Sequence, residues 1–115
     1  MKKSLGLMSL AFFLMFFVLT PFARSQEAEP PGKKIFMDQK CNLCHSIDSQ
    51  SITKKTATSK APDLSNVGST QNAEWIAKFL TKEEKLNNKA HPKPWTGKKE
   101  DLTTLSTWLA SLKKT

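Results

Sequence analysis

The chain has 115 residues, 18 Lys+Arg against 10 Asp+Glu, a formal net charge of +8, two Cys and no Tyr. That length suits one domain and argues against two. Two cysteines exclude a disulfide-dense scaffold and a zinc site built from four thiolates, and the modest charged fraction excludes a disordered composition.

Residues 1–25 read as an address. Lys2 and Lys3 precede an apolar run from Leu5 to Leu19, closed by Thr20-Pro21-Phe22-Ala23-Arg24-Ser25. A basic start, an apolar centre and a small-x-small end make a secretory signal peptide, with cleavage expected after Ser25. The apolar run is shorter than the roughly 20 residues of a membrane span. Export to the periplasm is therefore the expectation, with a retained anchor facing the periplasm as the alternative. Without this segment, and so without Lys2, Lys3 and Arg24, the net charge is +5, carried by 15 lysines and no arginine. Arginine is preferred where phosphate is gripped bidentately. A lysine-only excess points away from nucleic acid and toward an acidic protein or membrane surface; a plain solvated surface is the other reading.

Residues 26–31 form a short polar, proline-containing lead, expected to be mobile. The domain proper is residues 32–115. A first helix is expected at about 33–42, with Ile35, Phe36 and Met37 supplying apolar contacts. Residues 46–60 are rich in Ser, Thr and Lys, lack helical or strand period and read as a loop. Ala61-Pro62-Asp63-Leu64-Ser65-Asn66-Val67-Gly68 follows, a turn-rich stretch in which Leu64 and Val67 serve as anchors. A second helix is expected over 72–85, with Trp75, Ile76, Phe79 and Leu80 on one stripe and Thr70 or Asn72 as its cap. Residues 89–99 form a second loop. The third helix, over 100–113, carries Leu102, Leu105, Leu109 and Leu112, with Glu100 and Asp101 near its start and Lys113 and Lys114 at its end, as the helix dipole favours. The fold class is all-α, with three main helices and long loops. So small a core calls for a staple.

Cys41-Asn42-Leu43-Cys44-His45 supplies it. This is the attachment pattern of haem c. Thiols three residues apart share one face of a helical turn and can add to two vinyl groups along one porphyrin edge. The adjoining His45 then ligates iron in what is effectively an intramolecular step. A redox disulfide is the competing use of such a pair, but it comes with a βαβ pattern that this chain lacks.

These residues resemble the class I (monohaem, soluble-type) cytochrome c family over about 32–113. Gly32-Lys33-Lys34-Ile35-Phe36 leading to the Cys41–His45 motif is similar to its first helix and attachment site, and the Pro62-Asp63-Leu64 stretch to its loop beside the haem. The resemblance implies one covalent haem c. It also implies a bond from the His45 ring N–H to the Pro62 carbonyl, and first and last helices crossing near Gly32 with Phe36 against Trp108. The family usually completes the iron with a methionine before the last helix. No methionine follows His45 here, and Met37, one turn before Cys41, is expected in the core. His91, in Lys89-Ala90-His91-Pro92-Lys93-Pro94-Trp95, stands in that place, and imidazole suits iron. An open site and a lysine ligand from Lys89 or Lys93 are the alternatives. Trp95 is expected to cover the haem or reach a propionate, with plain core packing as the other reading.

The expected function is one-electron transfer in a respiratory chain rather than enzymatic catalysis. The protein would act as a monomer that meets acidic redox proteins or a membrane respiratory complex, with iron held by His45 and His91. A gas-binding sensor or a peroxidase-like protein with an open distal site is the alternative.

Overall fold

The computed structural model describes residues 27–114. The expected signal peptide lies outside the described residues. Three helices follow in order: α1 over Pro31–Asp38, α2 over Ala73–Leu80 and α3 over Lys99–Ser111. Short 3₁₀ turns at Cys41–Leu43, Asp48–Gln50 and Val67–Ser69 punctuate the loops. Among the described residues no helix is long and apolar enough to cross a membrane.

The helix ends depart from the sequence expectation for local reasons. α1 begins at Pro31, inside the stretch read as a mobile lead, because proline suits a first-turn position whose N–H would have no partner. It stops at Asp38, short of the expected 42. Lys40 there adopts the left-handed conformation at φ 59°, turning the chain into the Cys41–Leu43 turn. α2 stops at Leu80 rather than near 85. The Thr81 hydroxyl donates to the carbonyls of Ala77 (3.1 Å) and Lys78 (3.2 Å), and Lys82 is left-handed at φ 65°. Of its two candidate caps Asn72 is used, its Oδ1 accepting from the Trp75 N–H at 2.8 Å. α3 ends at Ser111, so Lys113 and Lys114 fall beyond its last turn and do not serve its dipole. Leu112 is extended there, and its carbonyl accepts from the Gly68 N–H at 2.8 Å.

The core forms where α3 packs on α1 and α2. Phe36, Ile47, Ile52, Ile76, Leu105, Leu109 and Leu112 make one buried cluster. Full burial of a side chain such as Phe36 contributes about 1.5–3 kcal/mol. Phe36 meets Trp108 edge-on, with ring centroids 6.0 Å apart. Such a pairing adds about 0.5–1.5 kcal/mol. Ile47 and Ile52 pair across a tight turn, so the stretch read as featureless loop carries two core residues. Met37, expected in the core, is 40% exposed, because α1 turns Gly32 and Phe36 inward instead. Leu43 and Leu86 are exposed as well.

α1 and α3 approach closely only because residue 32 has no side chain. A Cβ on Gly32 would lie 2.1 Å from Trp108 Cβ, so an added methyl forces the helices apart. Gly32→Ala is expected to destabilise the holoprotein by about 1–3 kcal/mol. Denaturant titration should show this as a lower midpoint with an unchanged slope; an unchanged midpoint would mean the crossing has slack.

Candidate functional site

The site is assembled from three segments. The first is the turn after α1, where the N–H groups of Cys44 (3.2 Å) and His45 (3.0 Å) both donate to the Cys41 carbonyl. This curl, rather than a continued helix, sets the two thiols. Both cysteines are free thiols, Cys41 half-buried and Cys44 exposed. Burial pushes the Cys41 thiol above its ordinary value, and the nearby Lys93 ammonium pulls partly the other way. The loop after the turn clasps it from behind. Lys55 N–H donates to the Asn42 carbonyl, Thr56 N–H to the Leu43 carbonyl and the Ser59 hydroxyl to the Cys44 carbonyl, all within 3.0 Å.

The second segment fixes His45. Its Nδ1 lies 2.8 Å from the Pro62 carbonyl. A carbonyl only accepts, so Nδ1 carries the proton and Nε2 keeps a free lone pair. Burial is the main cause holding His45 below the ordinary histidine range. His91 acts in the same direction, while the Pro62 bond and Asp63 oppose. A neutral imidazole is the form that binds a metal. The Pro62 carbonyl is itself held in place by Asp63, whose carboxylate accepts from the Ser46 hydroxyl (2.8 Å) and from the N–H groups of Asp48 (2.9 Å) and Ser65 (2.8 Å).

The third segment brings in His91. Its ring lies 6.2 Å from the His45 ring, centroid to centroid, with the planes 10° from parallel. The His91 Nδ1–H donates to the Lys93 carbonyl at 2.6 Å, so here too Nε2 is the nitrogen left free. Phe79 packs edge-on to His91 at 5.3 Å and stacks on Trp75 at 4.8 Å. Of the apolar stripe on α2 only Ile76 is buried; Trp75, Phe79 and Leu80 stay half-buried on the side toward this loop. Sequence reading placed all of them in the core and missed Phe79 as a neighbour of His91. The Lys93 carbonyl was missed as well; its one signal was the pair of prolines on either side of it.

Of the two readings of Trp95, the structure shows the packing one. Its indole N–H donates to the Lys98 carbonyl at 3.3 Å, its backbone N–H donates to the Leu80 carbonyl at 3.1 Å, and its ring packs on the core. The side chain anchors the loop. Lys93, one of the alternative ligands, directs its ammonium to the Gln39 carbonyl at 2.8 Å.

The donor set decides what fits between the two rings. Two metal–imidazole bonds of about 2 Å each, plus the distance from each nitrogen to its ring centre, sum to about 6 Å. One metal ion fits that gap. Among the described residues no group of three or more His, Cys, Asp or Glu side chains could hold a bare ion. Two nitrogens with two free thiols alongside instead suit a metal that brings its own planar ring of donors, fixed to the chain through those thiols.

The family model described as Cytochrome c matches residues 30–113. Neither a curated protein nor a solved structure matches the chain.

The three donors to Asp63 yield an acid-stability prediction. Burial alone would raise the Asp63 carboxyl, but the bonds from Ser65, Asp48 and Ser46 outweigh it and hold the group well below the ordinary carboxylate range. A depressed folded value means stability fully present above the unfolded value of about 3.9 and lost as pH falls below it. Asp63→Asn is expected to flatten the fall in thermal stability below about pH 4. Melting curves across that range check it, and an unchanged acid slope would contradict it.

Proposed function

The chain belongs to the cytochrome c family, whose members bind covalent haem c and transfer electrons through it, and we propose that this one carries its iron between two imidazoles, His45 and His91. The observation that supports this is the pair of near-parallel rings 6.2 Å apart, each with Nδ1 bonded to a backbone carbonyl. Cys41 and Cys44 would hold the porphyrin through thioether bonds, as the Cys-x-x-Cys-His pattern of the family does. When bound, the haem supplies a reversible one-electron couple. The protein's part is positional. The carbonyls of Pro62 and Lys93 accept from Nδ1 and so orient the two rings, leaving Nε2 of each as the nitrogen that would hold the metal. Were His45 and His91 both to hold the iron, it would have no open place for a substrate, in keeping with the family's general role as carriers rather than enzymes.

Charge supports the role of a carrier that meets acidic partners. Exposed lysines stand within two positions of the site residues: Lys40 beside Cys41, Lys60 beside Pro62, and Lys89 and Lys93 beside His91. A cationic rim of this kind speeds encounter with an acidic redox protein and loses that effect as salt rises. We place the protein in the periplasm, after removal of residues 1–25, as a soluble carrier in a respiratory chain.

Two measurements test this. The ferric holoprotein should be low-spin with no sulfur-to-iron charge-transfer band, and its potential should lie below that of methionine-ligated relatives, since a methionine ligand raises it. His91→Ala should turn it high-spin and make the ferrous form bind CO rapidly. A wild type already high-spin at neutral pH would point instead to an open-site gas-binding protein. N-terminal sequencing of the exported protein should begin at Gln26, and a chain still beginning at Met1 would show a retained anchor.

A further inference from the structure

Lys93 makes two contacts that reach opposite parts of the site. Its carbonyl accepts from the His91 ring at 2.6 Å, and its ammonium donates to the Gln39 carbonyl at 2.8 Å, 54 positions away in the chain. Gln39 closes α1 and stands two residues before Cys41. The same loop meets Gln39 again, since a Cβ on Gly97 would lie 2.9 Å from Gln39 Nε2. Prolines flank Lys93 at 92 and 94. They fix their own φ angles, disfavour helical backbone at Lys93, where the chain bends, and remove two N–H groups that could otherwise bond elsewhere. The ammonium bond to Gln39 is thus the tether by which a backbone with few alternative conformations is tied to the end of α1.

We propose that Lys93 is the positioning residue of the distal imidazole: by bonding Gln39 beside the thiol turn, it holds in place the carbonyl that orients the His91 ring. This rests on the reading of His91 as the second axial ligand. Trp95 ties the far end of the loop to α2 through the Leu80 carbonyl, beyond Pro94, and Phe79 packs on the His91 ring; the Gln39 contact is the tie nearest to the carbonyl that orients that ring. Losing the ammonium would free the carbonyl to drift, and the ring would then detach more often and settle at altered angles.

The test uses purified holoprotein and two readouts that a merely structural contact would not move. One is the rate of CO association with the ferrous form, which is gated by departure of the distal ligand. The other is the set of ferric EPR g-values, which follow the relative orientation of the two imidazoles. Lys93→Met keeps the length and loses the donor; it is expected to raise the CO rate about threefold to tenfold and to shift the g-values. Lys93→Arg, which keeps a donor, should return both toward wild type, and Lys85→Met, at an exposed lysine away from Gln39, should leave both unchanged. Lys93→Ala, which removes the side-chain tether altogether, should raise the CO rate as well, and it carries the test if Lys93→Met fails to mature. Wild-type CO rate and g-values in Lys93→Met, equal shifts in Lys93→Met and Lys85→Met, or an unchanged rate in Lys93→Ala where that variant carries the test would each overturn the proposal. His91→Ala separates the two levels. If it leaves the wild-type spectrum unchanged, the ligand reading itself fails; if it abolishes the low-spin spectrum while Lys93→Met is silent, only the role of Lys93 fails.

Discussion

Two imidazoles held a fixed distance apart by backbone carbonyls are the constraint around which this chain is organised. Each ring donates its hydrogen bond from Nδ1 to a backbone carbonyl. His45 answers to Pro62 and His91 to Lys93, so each ring is only as well placed as the loop that supplies its carbonyl. The remaining structure can be understood as what keeps those two loops still. Asp63, gathering the Ser46 hydroxyl and two N–H groups, locks the first. The second is tied to the ends of α1 and α2, through Gln39 and Leu80. Those helix ends are in turn fixed by the contacts of α1 and α2 with α3.

The apolar core is small for such a task. It consists of a few aliphatic side chains and Phe36, while Trp75, Phe79, Leu80 and Trp95 are only half-covered. Chains of this size bury a limited fraction of their surface, and many depend on a covalent or metal staple. In the cytochrome c family that staple is the haem itself. Half-covered aromatics beside His91 are the side chains expected where a large planar group completes the packing.

Much of this was legible in the sequence because its signals are local and chemical. Cys41, Cys44 and His45 sit in a spacing with few other uses, and the three helices announce themselves by apolar periodicity. His91 was marked by its place in the loop before the last helix, where the resemblance puts a methionine, and the structure brings its ring beside that of His45. What the sequence hid were features that depend on the backbone. A carbonyl has no residue type, so nothing marked Lys93 as the partner of His91. The ends of α1 and α2 were hidden for a related reason: lysine gives no warning that it will adopt left-handed backbone. Met37 was misplaced because hydrophobicity says that a side chain prefers cover, not which cover it finds. Ile47 and Ile52 reached the core from a stretch whose polar composition concealed a two-residue contact.

The left-handed lysines that close α1 and α2 have a consequence for engineering. Glycine occupies such backbone without steric penalty, whereas a residue with a Cβ is held there at a cost. Lys40 and Lys82 are thus places where conformational comfort has been given up to retain a cationic side chain. A designer seeking a hardier protein could substitute glycine at either, far from the packed interior. The resulting molecule would hold its shape at least as well and present a weaker electrostatic face to whatever it docks against.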